Sequence, residues 1–199
     1  MRGDASWARD TLDSRTSPTR GIVQSAYGEM GLPGGTLHYY KINYQHQRYH
    51  PLARDYTLRL NGEIGIANGL ANDPLPFFKN YYAGGISSVR GFKSGTLGPK
   101  DSNGEAIGGG RRLVGNEEIY FPMPGLGQDK SIRLSAFMDI GTIVAANDSF
   151  STSDVRYSTG LGVNWVSPVG PLRFSLAKPL NSKSGDKTEV FQFQLGSVF

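Results

Sequence analysis

Arg90 stands among glycines, with Gly84 and Gly85 before it, Gly91 directly after it and Gly95 beyond. A guanidinium keeps its charge at any working pH and offers five donors in a fixed fork, so one placed in such a permissive backbone needs anions to meet it. Carboxylates set within the alternating segments on either side are its expected partners. Other residues with chemical potential carry less. His46 and His50 have the spacing of a helical metal pair, but in an extended segment they stand about 13 Å apart along the chain, which argues against a shared zinc. Asp101, Asn103 and Glu105 look like the start of a calcium loop but lack its full pattern of about twelve residues, and they read as a solvated turn. No Ser-His-Asp set, paired carboxylates or phosphate-binding loop occurs in a usable context. The chain therefore reads as a non-enzyme, with no catalytic residue, cofactor or metal.

The elements that must position Arg90 read as strands. A chain of 199 residues has the length of one domain, and 27 Gly, 10 Phe and 10 Tyr at only 38% hydrophobic content suit an all-β protein with many turns. A mean hydropathy of −0.36 and the lack of an apolar run near about 18 residues exclude a membrane-spanning helix. They do not exclude a membrane barrel, whose strands are only half apolar. The net charge of +4 comes from scattered Lys and Arg, the longest basic run being Arg111-Arg112, so nucleic acid is not an expected partner. With no cysteine there is neither a disulfide framework nor a thiolate metal site. Met1-Arg2-Gly3-Asp4 is followed by polar residues and no apolar signal core. Residues 1–4 read as an abrupt start, 5–199 as the folded unit, and the whole as an excised piece.

Residues 56–66 show the clearest period of two, with Tyr56, Leu58, Leu60, Ile64 and Ile66 on one face and Thr57, Arg59, Asn61 and Glu63 on the other. About eleven tilted residues cross a bilayer core, and that is about twice the usual globular strand. Further strands are expected over residues 21–30, 37–49, 111–121, 131–144, 155–166, 171–177 and 188–199, with a weaker one at 6–13. The connection 68–110 is too long for a hairpin without a function of its own, and its Gly-rich end, 101–110, reads as a mobile tip. Pro-Gly turns at 122–125 and 167–170 alternate with polar loops at 146–154 and 181–186, as tight periplasmic turns alternate with longer extracellular loops.

In the last strands one face is nearly all apolar: Tyr157, Leu161, Val163 and Trp165, then Leu172, Phe174 and Leu176, then Phe191, Phe193, Leu195 and Phe199. Arg173, Gln192, Gln194 and small residues lie opposite and suggest a wet lumen. A soluble sandwich would reverse the faces, and alternation alone leaves that choice open. With Ile132, Leu134, Ala136, Met138 and Ile140 facing lipid, Asp139 points inward beside Arg133 and Ser135. With Leu113, Ile119 and Phe121 outward, Glu118 points inward too. Glu117 then falls on the lipid face, which implies either an interfacial depth or a register-shifting bulge.

The run Tyr81-Tyr82-Ala83-Gly84-Gly85-Ile86-Ser87-Ser88-Val89-Arg90-Gly91-Phe92 closely resembles the sixth extracellular loop of the BamA family of outer-membrane assembly proteins. Further matches follow in family order: residues 118–122, Phe137-Met138-Asp139-Ile140-Gly141, Ser167-Pro168-Val169-Gly170-Pro171-Leu172 and Phe191-Gln192-Phe193-Gln194. The stop on Phe199 resembles the terminal signature of such barrels. The resemblance implies an antiparallel up-and-down transmembrane β-barrel, here the C-terminal part with about eight or nine of about sixteen strands, and a long inward-folded loop.

It also implies roles. Val89, Arg90, Gly91 and Phe92 would latch the loop, Arg90 pairing with Glu118 and Asp139, Gly91 permitting a tight backbone and Phe92 packing on the wall. Phe191, Phe193, Leu195 and Phe199 would mark the terminal strand of a lateral gate in an insertase of the bacterial outer membrane. Its partners would be outer-membrane lipid, client barrel proteins and accessory lipoproteins, the last mainly through POTRA domains outside this chain. A two-partner secretion transporter or another outer-membrane pore is the alternative. A half-barrel exposes two edges in lipid, so the piece, inactive alone, is expected to close as a small barrel or to self-associate.

Overall fold

Alternation lets one strand face two media at once, and here it builds one continuous wall. A computed structural model describes residues 2–31, 37–125 and 131–196. In chain order the strands are β1 (Arg2–Asp10), β2 (Gly21–Gly31), β3 (Tyr39–Ala53), β4 (Tyr56–Gly69), β5 (Gly91–Phe92), β6 (Arg111–Pro122), β7 (Ile132–Val144), β8 (Arg156–Ser167), β9 (Gly170–Pro179), β10 (Thr188–Glu189) and β11 (Phe191–Leu195). Nine of them form one sheet in the order β1-β2-β3-β4-β6-β7-β8-β9-β11, and β5 pairs with β10 apart from it. Every pairing is antiparallel.

The exposure pattern decides which face is wet. Leu161 and Phe193 are 61% and 66% exposed, whereas Glu118 and Asp139 are at 1% and 0%. The apolar side chains point out and the polar ones in, which is a lipid-facing wall and the inverse of a soluble sandwich. Tyr56 stacks on Phe121 at 6.3 Å at the end where the short turns lie, as in the aromatic girdles of membrane barrels.

Several expectations change. The weak strand at 6–13 stands instead at Arg2–Asp10, because pairing with β2 from Arg2↔Gly31 to Asp10↔Val23 outweighs its poor alternation. Residues 2–4 therefore belong to the wall. The β1–β2 connection, residues 11–20, lies at the short-turn end but is not short. It tucks into the lumen, where Arg133 Nη1 of β7 donates to Pro18 O at 3.1 Å. The strand expected over 188–199 divides. Thr188 and Glu189 pair with Phe92 and Gly91 of the loop, while Phe191 to Leu195 pair with β9. Phe199 lies outside the described residues.

No bulge occurs at Glu117. Its register runs unbroken between β4 and β7, which sets it between the outward-facing Leu60 and Met138. Closure as a small barrel is not seen among the described residues, where β1 and β11 end the sheet and are not paired with each other.

The long connection after β4 folds into the lumen. Tyr81, Ala83, Val89, Phe92 and Leu97 of the loop pack on Ala67, Val114 and Ile143 of the wall as one buried hydrophobic cluster. Burying side chains of the size of Val89 and Phe92 stabilises by about 1.5–3 kcal/mol each. The expected mobile tip is exposed over residues 101–105 and at Ile107. Gly108, Gly109 and Gly110 are buried and bonded to the loop and wall, Tyr81 N donating to Gly109 O at 2.8 Å and Ala67 N to Gly110 O at 2.6 Å.

Candidate loop-anchoring site in the lumen

Glu118 and Asp139 come from neighbouring strands, β6 and β7, where Asn116 stands opposite Asp139 and Phe137 opposite Glu118. Both carboxylates project into the lumen by strand parity, and the loop brings Arg90 to them. Arg90 donates to Asp139 from its backbone N at 3.0 Å, from Nε at 2.7 Å and from Nη2 at 2.8 Å. Its Nη1 donates to Glu118 Oε1 at 3.0 Å. The guanidinium carbon lies 3.4 Å from the centroid of the Phe137 ring, an arrangement that favours a cation. This is a two-pronged guanidinium–carboxylate pair, which fixes direction as well as distance.

The surroundings complete the hydrogen bonding. Asn116 Nδ2 donates to Ser88 O at 2.6 Å and to Asp139 Oδ1 at 2.8 Å, and Asn116 Oδ1 accepts from Asn61 Nδ2 at 2.9 Å. Glu118 accepts from Ser135 Oγ at 2.7 Å and Tyr120 OH at 3.0 Å. Arg59 and Arg173 also face it, at 3.4 and 3.7 Å. Buried charges are costly to desolvate and need such partners to be tolerated, so the cluster specifies a position more than it adds net stability.

Two glycines make the approach possible. Gly91 has φ +86°, and a Cβ there would meet Ala177 and Pro179 of β9 at 3.2 Å. A Cβ on Gly141 of β7 would lie 2.5 Å from Val89 Cγ2, so the wall is hollowed where the loop side chain enters.

Val89, Arg90, Gly91 and Phe92 are thus brought together with Glu118 and Asp139. Phe191, Phe193 and Leu195 are elsewhere, on the outer face of β11 and 55%, 66% and 62% exposed. The link between the loop and that strand is a residue that sequence reasoning passed over, Gln192, whose Nε2 donates to Phe92 O at 2.8 Å. Asn116 and Ser135 were also missed. Their inward parity was readable, but nothing in it distinguishes an anchor from a residue that merely wets the lumen.

His46 instead meets Gln24, 3.2 Å from Nδ1 to Nε2, and Asp101 Oδ1 accepts from the backbone N of Asn103 and Glu105 at 2.9 Å each. Above the cluster the loop meets the β9–β10 connection. Asp186 accepts from Arg156 Nε at 2.6 Å and from Lys183 N at 2.8 Å, with Lys100 at 3.6 Å. Burial pushes the Asp186 carboxyl up, but those hydrogen bonds and the charges of Arg156 and Lys100 outweigh it and hold the group below the usual carboxylate range.

The sequence and the strand wall have known counterparts. Residues 1–199 match the Omp85 superfamily domain. The chain belongs to the Omp85 superfamily. It is 40% identical over its whole length to the outer membrane protein assembly factor BamA of Neisseria meningitidis, and 34% identical over 97% of its length to that of Nitratidesulfovibrio vulgaris. It spans 28% and 25% of those relatives. Over 94% of its length it is 27% identical to a mouse sorting and assembly machinery component 50 homolog. In structure it is similar to BamA from Haemophilus ducreyi lacking POTRA domains 1–3, with a TM-score of 0.89 and 29% identity over 96% of this chain and 41% of that one. Those bacterial relatives are outer membrane protein assembly factors.

Proposed function

We propose that this chain is the last-strand side of the barrel in an outer-membrane protein assembly factor, the central subunit of a β-barrel assembly machine. The observation that carries the reading is the seat of Arg90 on Asp139 and Glu118, in a barrel wall whose edge strand β11 lacks a second neighbour among the described residues. An edge strand in lipid offers unpaired backbone groups to an incoming strand, and that templating needs neither nucleotide nor covalent chemistry. The clients are other outer-membrane barrel proteins. Outer-membrane lipid meets the apolar outer face, and accessory lipoproteins bind mainly through POTRA domains outside this chain. Val89 to Phe92 act as the latch that keeps the loop in the lumen, and Phe191, Phe193 and Leu195 belong to the terminal half of a lateral gate. Alone, the chain has half a gate and is inactive, and its two free edges make self-association its expected fate.

The test is complementation by the full-length protein in cells depleted of their own copy. Arg90→Ala should lower the level of folded client barrels while the variant itself still reaches the outer membrane. Normal client levels together with a large steady conductance in planar bilayers would instead make it a pore.

A further inference from the structure

Among the described residues, β11 has the shortest ladder in the nine-stranded sheet. It meets β9 over five residue pairs, Phe191↔Leu176 to Leu195↔Leu172, whereas β8 meets β9 over ten. A second attachment comes from inside the lumen. Gln192, 5% exposed, stands opposite Ser175 of β9 and turns its amide to the loop. Its Nε2 donates to Phe92 O at 2.8 Å and to Glu189 Oε2 at 3.1 Å, and its Oε1 accepts from Gly91 N at 3.4 Å. A primary amide here offers one donor and one acceptor to the loop backbone, as a neighbouring strand would.

Just before it, Thr188 and Glu189 pair with Phe92 and Gly91, and Lys93 N donates to Lys187 O at 2.8 Å. The two residues after Arg90 are therefore held by the terminal segment, while Arg90 itself is held by β6 and β7. Gly91 has little room to drift, since a Cβ built on it would already meet Ala177 and Pro179 of β9 at 3.2 Å, and Phe92 is fully buried.

We propose that Gln192 is a positioning residue that couples the seating of Arg90 to the position of β11, so that the lumenal loop and the edge strand loosen together. If β11 moves off β9 and takes Gln192 with it, Gly91 N loses the amide oxygen and Phe92 O is left with Gly85 N alone, a loss of hydrogen bonding that is costly in a buried site. If the loop leaves the lumen, the Gln192 amide keeps only Glu189 and its Oε1 loses its partner. The coupling is reciprocal by necessity. Its functional meaning rests on reading β11 as the client-facing edge.

Hydrogen exchange on the full-length protein in lipid nanodiscs tests it, comparing residues 86–97 and 188–196 with residues 56–66 as the reference. Gln192→Met keeps the volume and removes the amide. It should raise local opening about tenfold in both segments and leave the reference unchanged. Arg90→Ala should do the same at 188–196, although the hydrogen bonds of Arg90 all go to β6 and β7. The double variant should open little further. Gln192→Glu, which loses the donor to Phe92 O and faces Glu189, carries the same expectation if Gln192→Met fails to assemble. A Gln192 effect confined to 188–196, or an Arg90 effect confined to the loop, overturns the coupling and leaves the latch standing. No effect of Arg90→Ala on either segment would overturn the latch itself.

Discussion

Arg90 gives Asp139 three hydrogen bonds and Glu118 one, and this asymmetry predicts which loss matters more. Glu118 keeps Arg59, Arg173, Ser135 and Tyr120 when the Arg90 side chain is removed, whereas Asp139 keeps the Asn116 amide and the backbone N of residue 90. Arg90→Ala should cost about 3–5 kcal/mol of loop docking, the range for stranding a buried charge, while most of the wall remains folded. The measurement is limited proteolysis near residues 101–110, which should become fast. Adding Asp139→Asn to Arg90→Ala should restore part of the protection, because the stranded charge is gone. Gly141→Ala should destabilise by about 1–3 kcal/mol through overpacking against Val89, and Val89→Ala should recover much of it in urea unfolding. Strand parity made Glu118 and Asp139 legible as inward carboxylates, and family resemblance supplied Arg90 as their mate. The need for glycine at 141 was not legible, because a glycine in a strand looks alike whether it relieves a clash or fills a turn.

Among the elements, the inward loop and the β9–β10 connection are joined by exposed and half-buried ion pairs that pH can reach. Asp186 titrates below its ordinary range in the folded state, so its contribution is complete above the unfolded pKa and is lost as pH falls through the lower, folded value. The contact between Lys100 and the Asp186 turn should therefore hold at neutral pH and loosen below about pH 4. Asp186→Asn should remove most of that dependence, read as protease access at residues 101–105 against pH. Most strands were legible from their period of two, since each side faces a different medium. The division at Val190 was passed over, although Glu189 and Val190 reverse the alternation that runs from Phe191 to Leu195. Only the third dimension shows Ala177 N donating to Val190 O at 2.8 Å while Thr188 and Glu189 turn to the loop. The inward tuck of residues 11–20 was hidden for a similar reason, as its contact with Arg133 joins residues far apart in sequence.

For the whole molecule, an apolar outer face and a charged lumen make lipid the solvent of one side and water that of the other. Glu117 departs from that rule between Leu60 and Met138. Glu117→Leu should raise the unfolding free energy in lipid by about 1–2 kcal/mol, less than the cost of a basic residue at the bilayer centre. No change would place Glu117 at an interface. The central claim is that the loop is held inside the wall by Arg90, and labelling of intact cells tests it most directly. Full-length protein carrying Val89→Cys should stay unmodified by a membrane-impermeant maleimide, while Asn103→Cys on the exposed turn labels readily. With Arg90→Ala added, Val89→Cys should label as well. Ready labelling of Val89→Cys with Arg90 intact would contradict the account.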